Sequence, residues 1–191
     1  MTSVPVQDQL APAQLELHGP ATLAELFQYW AEDWQTHGRE SSRPGFRALA
    51  VHRFGNYRMH WPRPWRFGLS ILYRFLFRYV RNHYSIELPY SARVGHRVVI
   101  EHQGAIVIHG NSVIGDDCIL RQGVTLGNRH LTAPFDAPIL GRHVNVGAGA
   151  KILGRVHIGD HACIGANAVV LKDVPAGGTA VGIPAKLIAE R

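Results

Sequence analysis

Val113-Ile114-Gly115-Asp116-Asp117-Cys118-Ile119-Leu120-Arg121-Gln122-Gly123-Val124-Thr125-Leu126-Gly127 carries an aliphatic residue at every sixth position: Ile114, Leu120 and Leu126. The spacing continues on both sides. Upstream it holds Val94, Ile100 and Ile106, and a two-residue slip restarts the series at Ile108. Downstream it holds Leu140, Val146, Ile152, Ile158, Ile164 and Val170. Glycine often follows the aliphatic position, and a small or β-branched residue stands two before it, as Ser112, Cys118, Val144, Ala150, Ala162 and Ala168 do. A six-residue period matches neither an α-helix nor a coiled coil. It fits one short strand and a turn per hexad, with three hexads closing a triangular coil and successive coils stacked at about 4.8 Å. The aliphatic residue points into the narrow interior, the small one fits near the corner, and glycine tolerates the tight turn. One coil cannot bury its own apolar side, so several must stack. Residues 89–191 are therefore expected to form a parallel β-helix, which makes the fold mainly β.

Ahead of it, residues 21–88 read as an N-terminal α-helical region. Thr22 is a plausible N-cap, and Leu23, Leu26, Phe27, Trp30 and Trp34 follow at helical spacing. A break at His37-Gly38 and a turn at Arg43-Pro44-Gly45-Phe46 open a second helix. Pro62 and Pro64 mark the entry to a third, rich in arginine and aromatic residues. Residues 1–20 are expected to be a disordered tail.

Composition excludes several classes of function. Hydrophobic residues make up 46% of the 191, enough for a sizeable core. Cys118 and Cys163 form no CxxC pair, which argues against a disulfide framework or a zinc site and fits a reducing cytoplasm. Residues 1–20 show no signal-peptide pattern, and nothing resembles a membrane span. Much of the net charge of +6 lies in Arg63, Arg66, Arg74, Arg78 and Arg81. No base-reading motif accompanies them, so no nucleic-acid partner is expected. The third helix reads as amphipathic with a solvated basic face, and contact with a membrane surface is the alternative.

The hexads break once more. From Leu126 to Leu140 the count is two hexads plus two residues, so a loop leaves the prism between Asn128 and Pro138. Loops thrown out of a rigid solenoid are common places for function.

Three groups of residues together resemble the bacterial serine O-acetyltransferases of the hexapeptide-repeat acyltransferase family: Glu101-His102-Gln103-Gly104, Gln122-Gly123-Val124-Thr125-Leu126-Gly127 and Gly147-Ala148-Gly149-Ala150-Lys151-Ile152-Leu153-Gly154. The similarity runs from about residue 43 to 188. It implies a left-handed β-helix and a reaction with acetyl-CoA as cosubstrate, without a metal. It also implies a general base at His102, because an imidazole can take a hydroxyl proton near neutral pH and return it to the departing thiolate. Glu87, in Ile86-Glu87-Leu88-Pro89, matches the carboxylate that orients this base, with one extra methylene. Glu101 stands where the family has an aspartate near the substrate.

The protruding loop departs from the family. Where the serine enzymes read Arg-His-Pro, this chain reads Asp136-Ala137-Pro138, so a substrate carboxylate would lose a bidentate cation and meet a like charge. Arg129 and His130, earlier in the loop, are the candidates to compensate. On the coenzyme side Ala148, Ala166, Lys172 and Lys186 match the positions that line the pantetheine groove and meet the phosphates. Because two prisms create that groove in the family, a homotrimer is implied. L-serine is the simplest acceptor, a sugar hydroxyl or another small metabolite is the second, and a non-catalytic scaffold is a third reading.

Overall fold

The computed structural model describes residues 18–188. Three helices precede the strands: α1 (Leu23–Thr36), α2 (Pro44–Tyr57) and α3 (Arg63–Tyr84). Thr22 caps α1 through a capping box with Glu25, and Pro44 and Pro64 stand in the first turns of α2 and α3. Most of the tail expected over 1–20 lies outside the described residues, but its last three residues are docked. His18 Nε2 lies 3.0 Å from the Ala92 carbonyl, and Gly19 packs so closely on Asn56 that a Cβ would sit 3.0 Å from it.

The repeat forms three parallel sheets, one per face of a left-handed triangular prism. Face A stacks β1 (Ile86–Glu87), β4 (Ile106–Ile108), β7 (Thr125–Gly127), β10 (Lys151–Leu153) and β13 (Val169–Val170). Face B stacks β2 (Arg93–Val94), β5 (Val113–Ile114), β8 (Ile139–Leu140) and β11 (His157–Ile158). Face C stacks β3 (Val99–Ile100), β6 (Ile119–Leu120), β9 (Asn145–Val146), β12 (Cys163–Ile164) and β14 (Thr179–Val181). The antiparallel β15 (Lys186–Ile188) closes face C. β1 lies ahead of residue 89, where the repeat was expected to begin, because Ile86 and Glu87 pair with Ile106 and Val107.

Register explains the core. Ile100, Leu120, Val146, Ile164 and Ala180 stack as one buried column, and Ile108, Leu126, Ile152 and Val170 as another. Each hexad contributes one buried aliphatic side chain worth about 1.5–3 kcal/mol of transfer free energy.

The helices pack differently from the amphipathic pattern read in the sequence. The α1 residues turned inward are Leu26 and Asp33, while Leu23, Phe27 and Trp34 are exposed. The buried Asp33 carboxylate meets Arg53 of α2, Nε to Oδ2 at 3.2 Å, and Arg53 also donates to the Val94 and Gly95 carbonyls at 2.6 Å each. This guanidinium, fully buried and over the Tyr29 ring, joins α1 and α2 to face B. α3 buries Tyr73, Val80 and Tyr84. Its arginines Arg63, Arg74, Arg78 and Arg81 are exposed, as a solvated basic face requires, and Ile71 and Phe75, opposite the buried residues, are exposed as well.

Candidate active site

The prism has one unusual corner. Where face C passes into face A, the next coil takes six residues from Leu120 to Leu126, while the first takes eight from their strand partners Ile100 to Ile108. The two-residue slip in the sequence is thus a lengthened corner, Glu101-His102-Gln103-Gly104-Ala105. Three of these residues take positive φ: His102 at 64°, Gly104 at 113° and Ala105 at 51°. The left-handed region is uncommon for residues with a Cβ, although histidine enters it more readily than most. The corner pushes His102 out of the stack, and its ring is exposed.

Small residues stack behind this corner. Gly123 N–H donates to the Gly104 carbonyl, Gly149 N–H to Gln122 and Asn167 N–H to Ala148, each at 2.8 Å. His102, Ala148 and Ala166 therefore share one edge of the prism. A Cβ on Gly147 would lie 2.6 Å from Ala166 N, and one on Gly149 2.0 Å from Asn167 Oδ1, so the edge admits only small residues at these places. Toward the C-terminal end, Lys172 and Lys186 line one cleft of about 290 Å³ together with Val170, Ala180 and Ala185.

Glu101 is already paired. Its Oε2 lies 2.9 Å from Arg121 Nε, and Arg121 also donates through Nη1 to Asn145 Oδ1. These residues tie three coils together directly beside His102. Arg121 was not among the residues expected from sequence. The signal for it was present, since opposite charges stand one coil apart at Glu101 and Arg121, as they do at Arg97 and Asp117. Lys151 is a second addition: its ammonium donates to the Gly123 carbonyl and to Thr125 Oγ1 at 3.2 Å, on the outer surface of face A.

Glu87 sits on β1, paired in register with Val107 of the strand that follows the His102 corner. No hydrogen bond or ion pair joins Glu87 to His102 among the described residues.

The protruding loop lies elsewhere. It leaves after β7 and returns at β8, on the edge between faces A and B. Arg129 packs against Gly154, whose Cβ would lie 3.3 Å from that of Arg129, and Asn111 Nδ2 donates to the Phe135 carbonyl at 3.0 Å. Arg129, His130 and Asp136 are thus separated from His102 by the width of face A. One protomer places the imidazole and the small-residue edge together and holds the loop residues apart.

The helices support this corner from behind. Ile100 N–H donates to His37 Nε2 at 3.3 Å, and His37 Nδ1 donates to the Asp33 carbonyl at 2.6 Å. Gly45 of α2 approaches the same strand so closely that a Cβ would lie 2.1 Å from the Ile100 carbonyl oxygen. Burial holds the His37 imidazole below its ordinary pKa, and its two hydrogen bonds need the neutral ring.

Comparison with known proteins agrees with the fold. Residues 137–172 match the bacterial transferase hexapeptide (six repeats) family. A serine acetyltransferase of Helicobacter pylori is 42% identical over 147 residues, 76% of this chain and 81% of that protein. One of Synechococcus elongatus is 41% identical over 145 residues, 76% of this chain and 57% of that protein. The chain spans 50 to 62% of the length of several such relatives. The crystal structure of a Brucella abortus serine acetyltransferase in complex with coenzyme A superposes with a TM-score of 0.74 at 27% identity, covering 88% of this chain and 69% of that one.

Proposed function

The chain belongs to the serine acetyltransferase family, and from that premise we propose that it moves an acetyl group from acetyl-CoA to the hydroxyl of L-serine. The observation that carries this reading is the shared edge: an imidazole on a lengthened corner with a column of small residues along it, beside a prism whose C-terminal end holds two lysines in one cleft. The reading gives His102 the hydroxyl proton as the serine oxygen attacks the thioester carbonyl carbon. The C–S bond then breaks, and the imidazolium returns its proton to the thiolate, so one histidine serves as base and then as acid. No covalent enzyme intermediate is needed. Backbone N–H groups of the corner would stabilise the oxyanion.

Acetyl-CoA fits the residues present. Ala148 and Ala166 leave room for the pantetheine arm, and Lys172 and Lys186 supply cations for its phosphates. Glu87, in register with Val107 of the strand that follows the corner, would be the carboxylate that fixes the imidazolium. Glu101, held by Arg121, would face the substrate's ammonium group, and Arg129 and His130 its carboxylate, with Asp136 lowering the fit to that carboxylate.

This assignment needs a second protomer. Because the loop and His102 lie on different edges of one prism, a neighbour that sets its loop edge against the His102 edge unites them, and repetition of that contact gives a closed homotrimer. The two free cysteines fit a cytoplasmic enzyme.

The test is an acceptor panel. Purified protein with acetyl-CoA is expected to release free thiol with L-serine at least tenfold faster than with hexoses or without acceptor. Release with hexoses alone would transfer the same machinery to a sugar hydroxyl, and no release with any acceptor would overturn the enzyme reading.

A further inference from the structure

α3 presents to solvent what a surface helix ordinarily hides. It packs on the rest of the protein through Tyr73, Val80 and Tyr84. At helical spacing the direction opposite those residues carries Ile71 and Phe75, with Trp65, Leu72 and Tyr79 beside them. All five are exposed, Trp65 and Phe75 to 68% each. Solitary exposed apolar residues are ordinary, but a continuous stripe over four turns marks an interaction surface.

The charges bordering the stripe are of one sign. The segment RPWRFGLSILYRFLFRYVRNHY holds five arginines and no aspartate or glutamate. Arg63, Arg74, Arg78 and Arg81 lie along one flank of the apolar stripe and are all exposed. α1 differs. Its segment holds Glu25 and Glu32 and neither arginine nor lysine.

We propose that α3 docks on an anionic lipid surface, with its Trp65–Leu72–Phe75–Tyr79 stripe at the headgroup boundary and its arginines against the lipid phosphates. Aromatic residues favour that boundary, and an amphipathic helix with arginine beside an aromatic stripe lies in its plane. No helix among the described residues is long and apolar enough to cross a membrane, so α3 lies along the surface. A second copy is the weaker occupant. Self-association through this face would bring two rows of arginine together without a carboxylate on either helix to neutralise them.

The experiment uses the full chain and vesicles of two compositions, phosphatidylcholine alone and phosphatidylcholine with 30% phosphatidylglycerol. Flotation is expected with the anionic vesicles only and is expected to weaken as salt rises. Arg74→Gln with Arg78→Gln is expected to lower partitioning about 30-fold. Phe75→Ser is expected to abolish it while leaving thiol release in solution unchanged. The arginine variant keeps the proposal falsifiable should Phe75→Ser fold poorly. Absence of flotation with anionic vesicles, equal flotation with neutral ones, or a concentration-dependent assembly that Phe75→Ser dissolves would each overturn it.

Discussion

The His37 ring accepts a hydrogen bond from the Ile100 backbone N–H at 3.3 Å, two residues before His102. A side chain at the end of α1 thereby holds the strand that leads into the His102 corner. Replacing it with an apolar side chain strands the Ile100 N–H in a buried place, while the Asp33 carbonyl keeps the His37 backbone N–H and the Thr36 hydroxyl as donors. His37→Leu is expected to lower the unfolding free energy by about 2 kcal/mol or more, read from urea denaturation.

The same packing makes Gly45 irreplaceable. Its φ is unexceptional, but a methyl group there would meet the Ile100 carbonyl oxygen at 2.1 Å, a backbone atom that cannot swing away. Gly45→Ala is expected to destabilise by about 1–3 kcal/mol through overpacking, visible as a lower urea midpoint with unchanged slope.

Stability should depend on pH through two histidines. Burial holds His37 below the ordinary value of 6.5 and His52 well below it, and each uses one ring nitrogen as donor and the other as acceptor. The unfolded chain takes up protons at these positions below about pH 6.5, and the native state does not. Stability is therefore complete above that pH and falls as pH drops through it, by up to about 1.4 kcal/mol per group per pH unit. Asp33 acts in the opposite sense, because burial raises its carboxyl despite the adjacent Arg53. Denaturation midpoints that stay flat between pH 7 and 5.5 would contradict the assignment, and His52→Asn should flatten the profile.

The hexads were the most legible feature of the chain, because a buried column needs an aliphatic residue at each coil and tolerates little else. Leu120 and Ile152 announce themselves in this way. The inward faces of the helices were not legible. In α1 the apolar Leu23, Phe27 and Trp34 suggest a core stripe, yet the buried positions include Asp33, whose partner Arg53 is 20 residues distant in sequence. Local periodicity carries no information about such a pair. The two-residue slip at Ile106 to Ile108 was visible, but that it lengthens the corner bearing His102 follows only from the strand register. Which edge the loop leaves by also depends on that register, so the separation of Arg129, His130 and Asp136 from His102 came from the structure.

The small-residue edge makes its own prediction. Ala166→Leu is expected to fill the groove and weaken coenzyme A binding at least tenfold in calorimetry. Because Ala166 is exposed, the thermal midpoint should stay within about 2 °C, as for surface substitutions generally. Unchanged affinity would place the coenzyme elsewhere.

The most direct measurement compares His102→Asn with the unaltered protein in serine-dependent thiol release from acetyl-CoA, with coenzyme A affinity measured on the same samples. Loss of the acid and base at this corner predicts a fall in rate of about 100-fold or more with affinity within about twofold. A variant that keeps its rate within a few fold would remove His102 from the chemistry and contradict the account.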